Sequence, residues 1–115
     1  MFIRFLLLLA ILCFIGCSSS SEDIEIVNKQ GKPVAVMVHG AGGGGWEWNF
    51  WKEIFEKSGW EVIVPDLEAS EKGIKETGYE DYLQQVIDWC PKDDRKFVLI
   101  GASMGGLLTL SASEH

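Results

Sequence analysis

The sequence predicts an α/β fold, a mostly parallel sheet with flanking helices. Three observations predict it. Apolar runs of strand length recur at "PVAVMV" (Pro33–Val38), "WEVIV" (Trp60–Val64) and "KFVLI" (Lys96–Ile100). Between them lie segments whose apolar residues repeat at helical spacing. The runs are apolar nearly throughout rather than alternating, as strands buried on both faces of a parallel sheet are. Strands alternating with helices of this length build βαβ units.

The elements follow in order. "IEIV" (Ile24–Val27) is a short strand, and Pro33–Val38 a stronger one. A glycine-rich loop, "HGAGGGG", comes next. Trp48, Trp51, Ile54 and Phe55 then mark a helix, which Gly59 ends where a left-handed cap is wanted. Trp46, Trp48, Trp51 and Trp60 are expected to pack this helix onto the sheet, with a wall of a substrate cleft as the other reading of Trp46. The strand Trp60–Val64 exits through "PDLE" into a polar loop. Thr77 and Glu80 have the spacing of a capping box, and Tyr82, Leu83, Val86, Ile87 and Cys90 form one helical face closed by Pro91. Lys92, Asp93, Asp94 and Arg95 read as a solvated turn before the buried strand Lys96–Ile100. "GASMGGLLTLSASE" turns into a last helix.

Composition sets the class. An apolar share of 47% and a charged share of 23% indicate a globular chain, and 115 residues suffice for one small domain. A net charge of −7 without a basic stripe argues against nucleic acid as a partner. The first residues stand apart. "MFIRFLLLLAILCFIGC" has one basic residue, Arg4, an apolar run from Phe5 to Ile15, and then Gly16-Cys17. That is the layout of a signal peptide, and it is short of the roughly 20 apolar residues that span a bilayer. "FIGC" resembles the lipobox of bacterial lipoproteins, with Phe14 where leucine is usual. The resemblance implies cleavage before Cys17, lipid on its thiol and a membrane anchor in the cell envelope. The chain then divides into a signal peptide (1–16), a lipidated polar tether (17–23) and a folded part (24–115). An ordinary secretory signal and an uncleaved anchor are the alternatives. Cys90 would be left without a disulfide partner, and is read as an inert small hydrophobe.

Two motifs carry chemistry. "GASMG" (Gly101–Gly105) is G-x-S-x-G between an apolar strand and a helix, the setting of a nucleophile elbow. Its glycines allow a sharp turn that pushes Ser103 out at the carboxyl end of the sheet. The alternative is a tight turn with an idle serine. Acyl transfer through a serine needs two N–H donors for the tetrahedral oxyanion. The Met104 amide follows the nucleophile, and the glycine loop can present the Ala41 amide without side chains crowding the acyl group. His39 is expected to hydrogen-bond within the loop and hold its shape.

A second reading competes. Gly40, Gly42 and Gly45 also satisfy G-x-G-x-x-G after a strand, and Asp66 ends the next strand near where a ribose-binding acid would sit. Against a dinucleotide stand His39 before the first glycine and the bulk of Trp46 and Trp48 in the turn. That reading also leaves the serine motif without a role. Asp66 is otherwise a loop residue behind a strand.

"VMVHGAGGGGWEWNFW", "GWEVIVPDLEAS" and "VLIGASMGG" are similar, in order and spacing, to the α/β-hydrolases, in particular to the methylesterase and hydroxynitrile-lyase branch and its bacterial esterase-like relatives. The resemblance covers about Pro33 to Ser113. It implies an eight-stranded, mostly parallel sheet, Ser103 as nucleophile, the Ala41 and Met104 amides as oxyanion hole, a small-molecule ester or acyl substrate, and no cofactor or metal.

The chain departs from that pattern in two respects. The strands that would cover the far side of "KFVLI" are missing, which is expected to leave a long apolar edge exposed. The acid and histidine of such enzymes follow the serine, and only twelve residues follow Ser103 here. His115 and Glu114 lie about three helical turns beyond it. The expectation is a partial hydrolase fold, the N-terminal half of the domain, truncated after the elbow helix and inactive alone, with a missing C-terminal half as its partner. The alternatives are a short protein that pairs with a second chain, a dinucleotide-binding oxidoreductase fragment, and a non-catalytic surface lipoprotein that keeps the fold.

Overall fold

The computed structural model describes residues 31–115. The signal peptide, the tether with Cys17 and the strand expected at Ile24–Val27 lie outside the described residues. Three parallel strands form one sheet in the order β2-β1-β3, with β1 (Val34–Val38) central, β2 (Glu61–Ile63) on one side and β3 (Phe97–Gly101) on the other. Val34 stands opposite both Glu61 and Phe97, and Val38 opposite Gly101. Helix α1 (Asn49–Lys57) connects β1 to β2, α2 (Tyr79–Trp89) connects β2 to β3, and α3 (Met104–Ala112) follows β3. This is the predicted βαβ alternation, with strand ends moved by a residue or so.

The central strand explains its own composition. All five residues of β1 are fully buried, because the strand has a neighbour on each side and helices over both faces. Val34, Val36 and Val38 pack on Leu83 and Val86 of α2 and on Leu108 and Ala112 of α3. Each fully buried valine or leucine contributes about 1.5–3 kcal/mol. The alternate residue Met37 points the other way. With Ile100 it lines an apolar cleft of about 340 Å³, closed on one side by Trp48, Trp51 and Phe55.

The apolar edge expected to be exposed at Lys96–Ile100 is exposed, and only the reading of this run as a buried strand needs correction. Phe97 and Val98 are exposed, and Leu99 and Ile100 only half-buried. β3 is the edge of the described sheet, and beside it Phe97, Leu99, Gly106, Thr109, Leu110 and Ser113 line an open cleft of about 500 Å³. The tryptophans divide as well. Trp48 and Trp60 are half-buried against the fold, whereas Trp46 is 68% and Trp51 50% exposed.

Local signals end the helices. At the end of α1, Gly59 takes φ +88°. The Gly59 N–H donates to Glu56 O (3.1 Å) and the Trp60 N–H to Phe55 O (3.0 Å), the paired bonds of a Schellman cap. The Trp60 and Phe55 rings meet edge to face at 5.5 Å, closing the cap with an apolar contact. The capping box expected from Thr77 and Glu80 is displaced by one residue. Gly78 is the N-cap of α2 and its N–H donates to Asp81 Oδ2 (2.8 Å). Thr77 instead braces the preceding loop, accepting from the Ser70 N–H (2.9 Å) and donating to Gly73 O (2.9 Å). At the other end Cys90 is extended (ψ 137°), as the residue before a proline must be. The turn at Lys92–Arg95 is solvated as expected at Lys92, Asp93 and Asp94, and only Arg95 is half-buried. Arg95 bonds Glu61 of β2 (2.5 Å) and Asp93 (2.8 Å), linking the amino ends of the two outer strands.

Candidate active site

The site is built from the turn after β3 and the loop after β1. Ser103 has φ 52° and ψ −119°, and is the one non-glycine residue with positive φ among those described. Such a conformation costs about 1–3 kcal/mol and persists only where the surroundings impose it. Here two glycines impose it. A Cβ on Gly101 would stand 2.2 Å from Gly105 O, and a Cβ on Gly105 would stand 2.3 Å from Val38 O and 2.5 Å from His39 O. With no side chain at either place, α3 starts directly against the ends of β1 and β3. The chain between Gly101 and Met104 must then turn through Ser103, which leaves that side chain exposed at the carboxyl end of the sheet.

The glycine loop lies alongside. A Cβ on Gly40 would be 3.3 Å from Ser103 Cβ and 3.3 Å from Ala102 O. The loop then turns over Ala41 and Gly42, closed by the Gly43 N–H donating to Gly40 O (3.1 Å), with Gly42 at φ +73°. A turn with positive φ at its third residue requires glycine there. The Ala41 and Met104 N–H groups donate to no protein acceptor among the described residues. For Met104 the cause is general, since the first N–H groups of a helix have no acceptor within it.

His39 holds the base of this loop. It is buried, its Nδ1 lies 2.8 Å from Gly40 O, and its Nε2 lies 2.9 Å from the Leu67 nitrogen. The amide can only donate, so Nε2 accepts and the ring proton sits on Nδ1, donating to Gly40 O. Both nitrogens are thereby engaged. The bonding expected within the loop is present and reaches further, to the segment after β2.

Asp66 lies in that same segment, and the sequence offered it only as a ribose-binding acid in the competing reading or as a loop residue behind a strand. Its Oδ1 accepts the Gly45 N–H at 2.6 Å. Its carboxylate therefore faces the glycine loop, where it would repel a pyrophosphate rather than hold a ribose. The signal available in the sequence was the acid directly after a strand, two elements on from a glycine run.

The remaining candidates lie elsewhere. His115 and Glu114 follow the far end of α3, about 16 Å along the helix from Met104. Cys90 lies at the end of α2, its thiol donating to Val86 O (3.3 Å), and burial raises its pKa above the ordinary thiol value. Neither cleft along the sheet is lined by Ser103. Among the described residues no cluster of His, Cys, Asp or Glu could hold a metal ion, and no helix is long and apolar enough to cross a membrane.

Comparison with known proteins agrees with this geometry. Residues 35–113 match the alpha/beta hydrolase family. Norfluorocurarine synthase 1 of Strychnos nux-vomica is 36% identical over 99 residues, covering 80% of this chain and 37% of that protein. Methylesterase 3 of Arabidopsis thaliana is 41% identical over 86 residues, covering 66% and 32%. The crystal structure of polyneuridine aldehyde esterase superposes with a TM-score of 0.58 at 31% identity, covering 72% of this chain and 35% of that one. The chain thus spans about a third of the length of the relatives it matches. With its parallel sheet, tight β3–α3 turn and adjoining glycine loop, it belongs to the alpha/beta hydrolase family and carries part of that fold.

Proposed function

We propose that this chain carries the nucleophile and oxyanion hole of a serine hydrolase acting on a carboxylic ester or a related acyl bond. The observation that supports this most is Ser103, exposed and held at positive φ between strand and helix, with the glycine loop close beside it. Its Oγ attacks the acyl carbon, and its proton goes to a base. The carbonyl oxygen becomes an oxyanion and takes the Ala41 and Met104 N–H groups. The intermediate collapses with departure of the alcohol, leaving an acyl-serine that water then cleaves. The esterase names among the relatives support an ester substrate.

Among the described residues neither histidine is placed to act as the base. His39 has both nitrogens engaged, and His115 is at the wrong end of α3. The complete enzyme is therefore this chain together with the part that supplies histidine and acid, and the chain alone is inactive. In the complete enzyme Ser103→Ala should abolish both turnover of p-nitrophenyl esters and labelling by a fluorophosphonate. Undiminished hydrolysis by that variant would overturn the assignment, and a complete enzyme with no histidine near Ser103 would favour a non-catalytic protein.

The same proposal places the protein at a membrane through lipid on Cys17. Expressed in a bacterium, the protein should partition with membranes and Cys17→Ser should not. Equal partitioning of both would mean an uncleaved anchor instead.

A further inference from the structure

The segment Pro65–Leu67 after β2 grips the glycine loop at two points. At the near end the Leu67 N–H donates to His39 Nε2 (2.9 Å), and His39 Nδ1 holds Gly40 O (2.8 Å). At the far end Asp66 Oδ1 accepts the Gly45 N–H (2.6 Å). Between the two lies the arch Gly40–Gly44, which carries the Ala41 amide. Inside it is the Gly43 bond to Gly40 O, and just past its far end the Glu47 N–H donates back to Gly44 O (3.0 Å). Glycines are the least restrained residues in a chain, so an arch of them keeps one shape only if its ends are held. The far end also fits closely. A Cβ on Gly45 would stand 2.3 Å from Val64 O, and one on Gly44 would stand 3.1 Å from Asp66 Oδ1. The loop's last turn is thus laid directly on the chain leaving β2.

We infer that Asp66 is a positioning residue for the oxyanion hole: its carboxylate anchors the far end of the arch so that the Ala41 N–H is held in place beside Ser103. Asp66 itself touches no reacting atom. This inference rests on the proposed hydrolase reading. A donor displaced by about 1 Å can cost on the order of 10²-fold in rate, and it costs the transition state more than the ground state, whose carbonyl needs the donor less.

The test uses the complete enzyme, with active sites counted by fluorophosphonate titration so that unfolded molecules drop out. Asp66→Ala should lower kcat per titrated site by about 10–100-fold and leave KM within about twofold. Affinity for an ester-like trifluoromethyl ketone should fall with kcat. That probe adds Ser103 Oγ to its carbonyl carbon, passes the serine proton to the base and leaves an alkoxide in the hole. Asp66→Asn keeps an oxygen acceptor and should restore most of kcat. Unchanged kcat per site in Asp66→Ala, or a loss in KM alone, overturns the inference. If Asp66→Ala does not fold, amide exchange decides: the Gly45 N–H must be protected in wild type and in Asp66→Asn, and exchange at the solvent rate overturns the clamp. Full activity of Ser103→Ala would instead overturn the hydrolase reading, so the two failures are distinguishable.

Discussion

Gly40 lies close against Ser103, so that a methyl group on Gly40 would stand 3.3 Å from the Ser103 Cβ. The two glycine motifs of the sequence meet at this point. Gly40→Ala asks its neighbours to give by only a few tenths of an ångström, so the variant should fold and lose no more than about 1–2 kcal/mol. The give falls on the Ser103 turn and on the loop bearing Ala41. In the complete enzyme kcat should therefore fall far more than stability does. A chemical melt beside a rate measurement checks this, and a full rate with lost stability would show that the contact is only packing.

Gly105 and Gly42 make a contrasting pair. A Cβ on Gly105 would enter the carbonyl oxygens of Val38 and His39, whereas one on Gly42 meets open space but sits at φ +73°. Gly105→Ala must push α3 off β1, and should cost about 3 kcal/mol or more. Gly42→Ala carries only the left-handed conformational penalty, about 1–2 kcal/mol. Thermal or denaturant unfolding of both should rank them in that order, and equal losses would mean that α3 can shift without penalty.

The fold was legible because its signals are local. Three apolar runs and two helical stripes suffice for a parallel sheet, and G-x-S-x-G between strand and helix placed the turn at Ser103. What escaped depends on pairing between distant segments. The bare edge at Phe97 and Val98 did not escape, because the reading of the covering strands as missing anticipated it; only the label of a buried strand fails. The cap of α2 moved from Thr77 to Gly78 because Asp81 can reach back to the Gly78 N–H and Thr77 is occupied with Ser70 and Gly73. Asp66 drew attention as a ribose ligand through its spacing alone. Only the packing of β2's exit against the loop shows that its carboxylate faces Gly45.

The strain at Ser103 predicts a signature of its own. At φ 52° an L-residue is disfavoured and glycine is not. Ser103→Gly should therefore be more stable than Ser103→Ala by about 1 kcal/mol or more, the reverse of the order within an ordinary helix or strand. Both variants should be inactive. Differential scanning calorimetry of the two decides it. If the alanine variant melts higher, the elbow has relaxed and its strain is not imposed by Gly101 and Gly105.

Cys90 gives a pH dependence whose sign can be worked out. Burial raises its thiol pKa, with Lys92 opposing only in part. The folded state then holds the proton more tightly than the unfolded chain. The stability this contributes is present below the unfolded thiol pKa and is lost as pH rises through the folded value. Cys90→Ser should flatten that alkaline decline. Alkylation of Cys90 by iodoacetamide should be slower than that of the unfolded chain at the same pH, because the thiolate is the nucleophile. Equal rates in the two states would mean that the thiol is not shielded.

The last prediction concerns the chain by itself. It brings together the serine turn and the glycine loop, but among the described residues neither histidine is placed to take the Ser103 proton. His39 Nε2 takes the Leu67 N–H and Nδ1 holds Gly40 O. Freeing either nitrogen would release the loop that the proposed reaction needs. His115 follows α3 at its far end. In enzymes of this type, loss of the base lowers turnover by about six orders of magnitude, and only some 10³–10⁴ over water remains from oxyanion binding. Hydrolysis of short p-nitrophenyl esters by the 115-residue chain should thus be indistinguishable from buffer, and fluorophosphonate should label it no faster than the denatured protein. Adding the part that supplies histidine and acid should produce both activities. Turnover by the short chain that vanishes in Ser103→Ala yet survives in His115→Ala would show that a proton acceptor exists within these residues. His39 would then have to leave its place between Gly40 and Leu67 to serve as that acceptor.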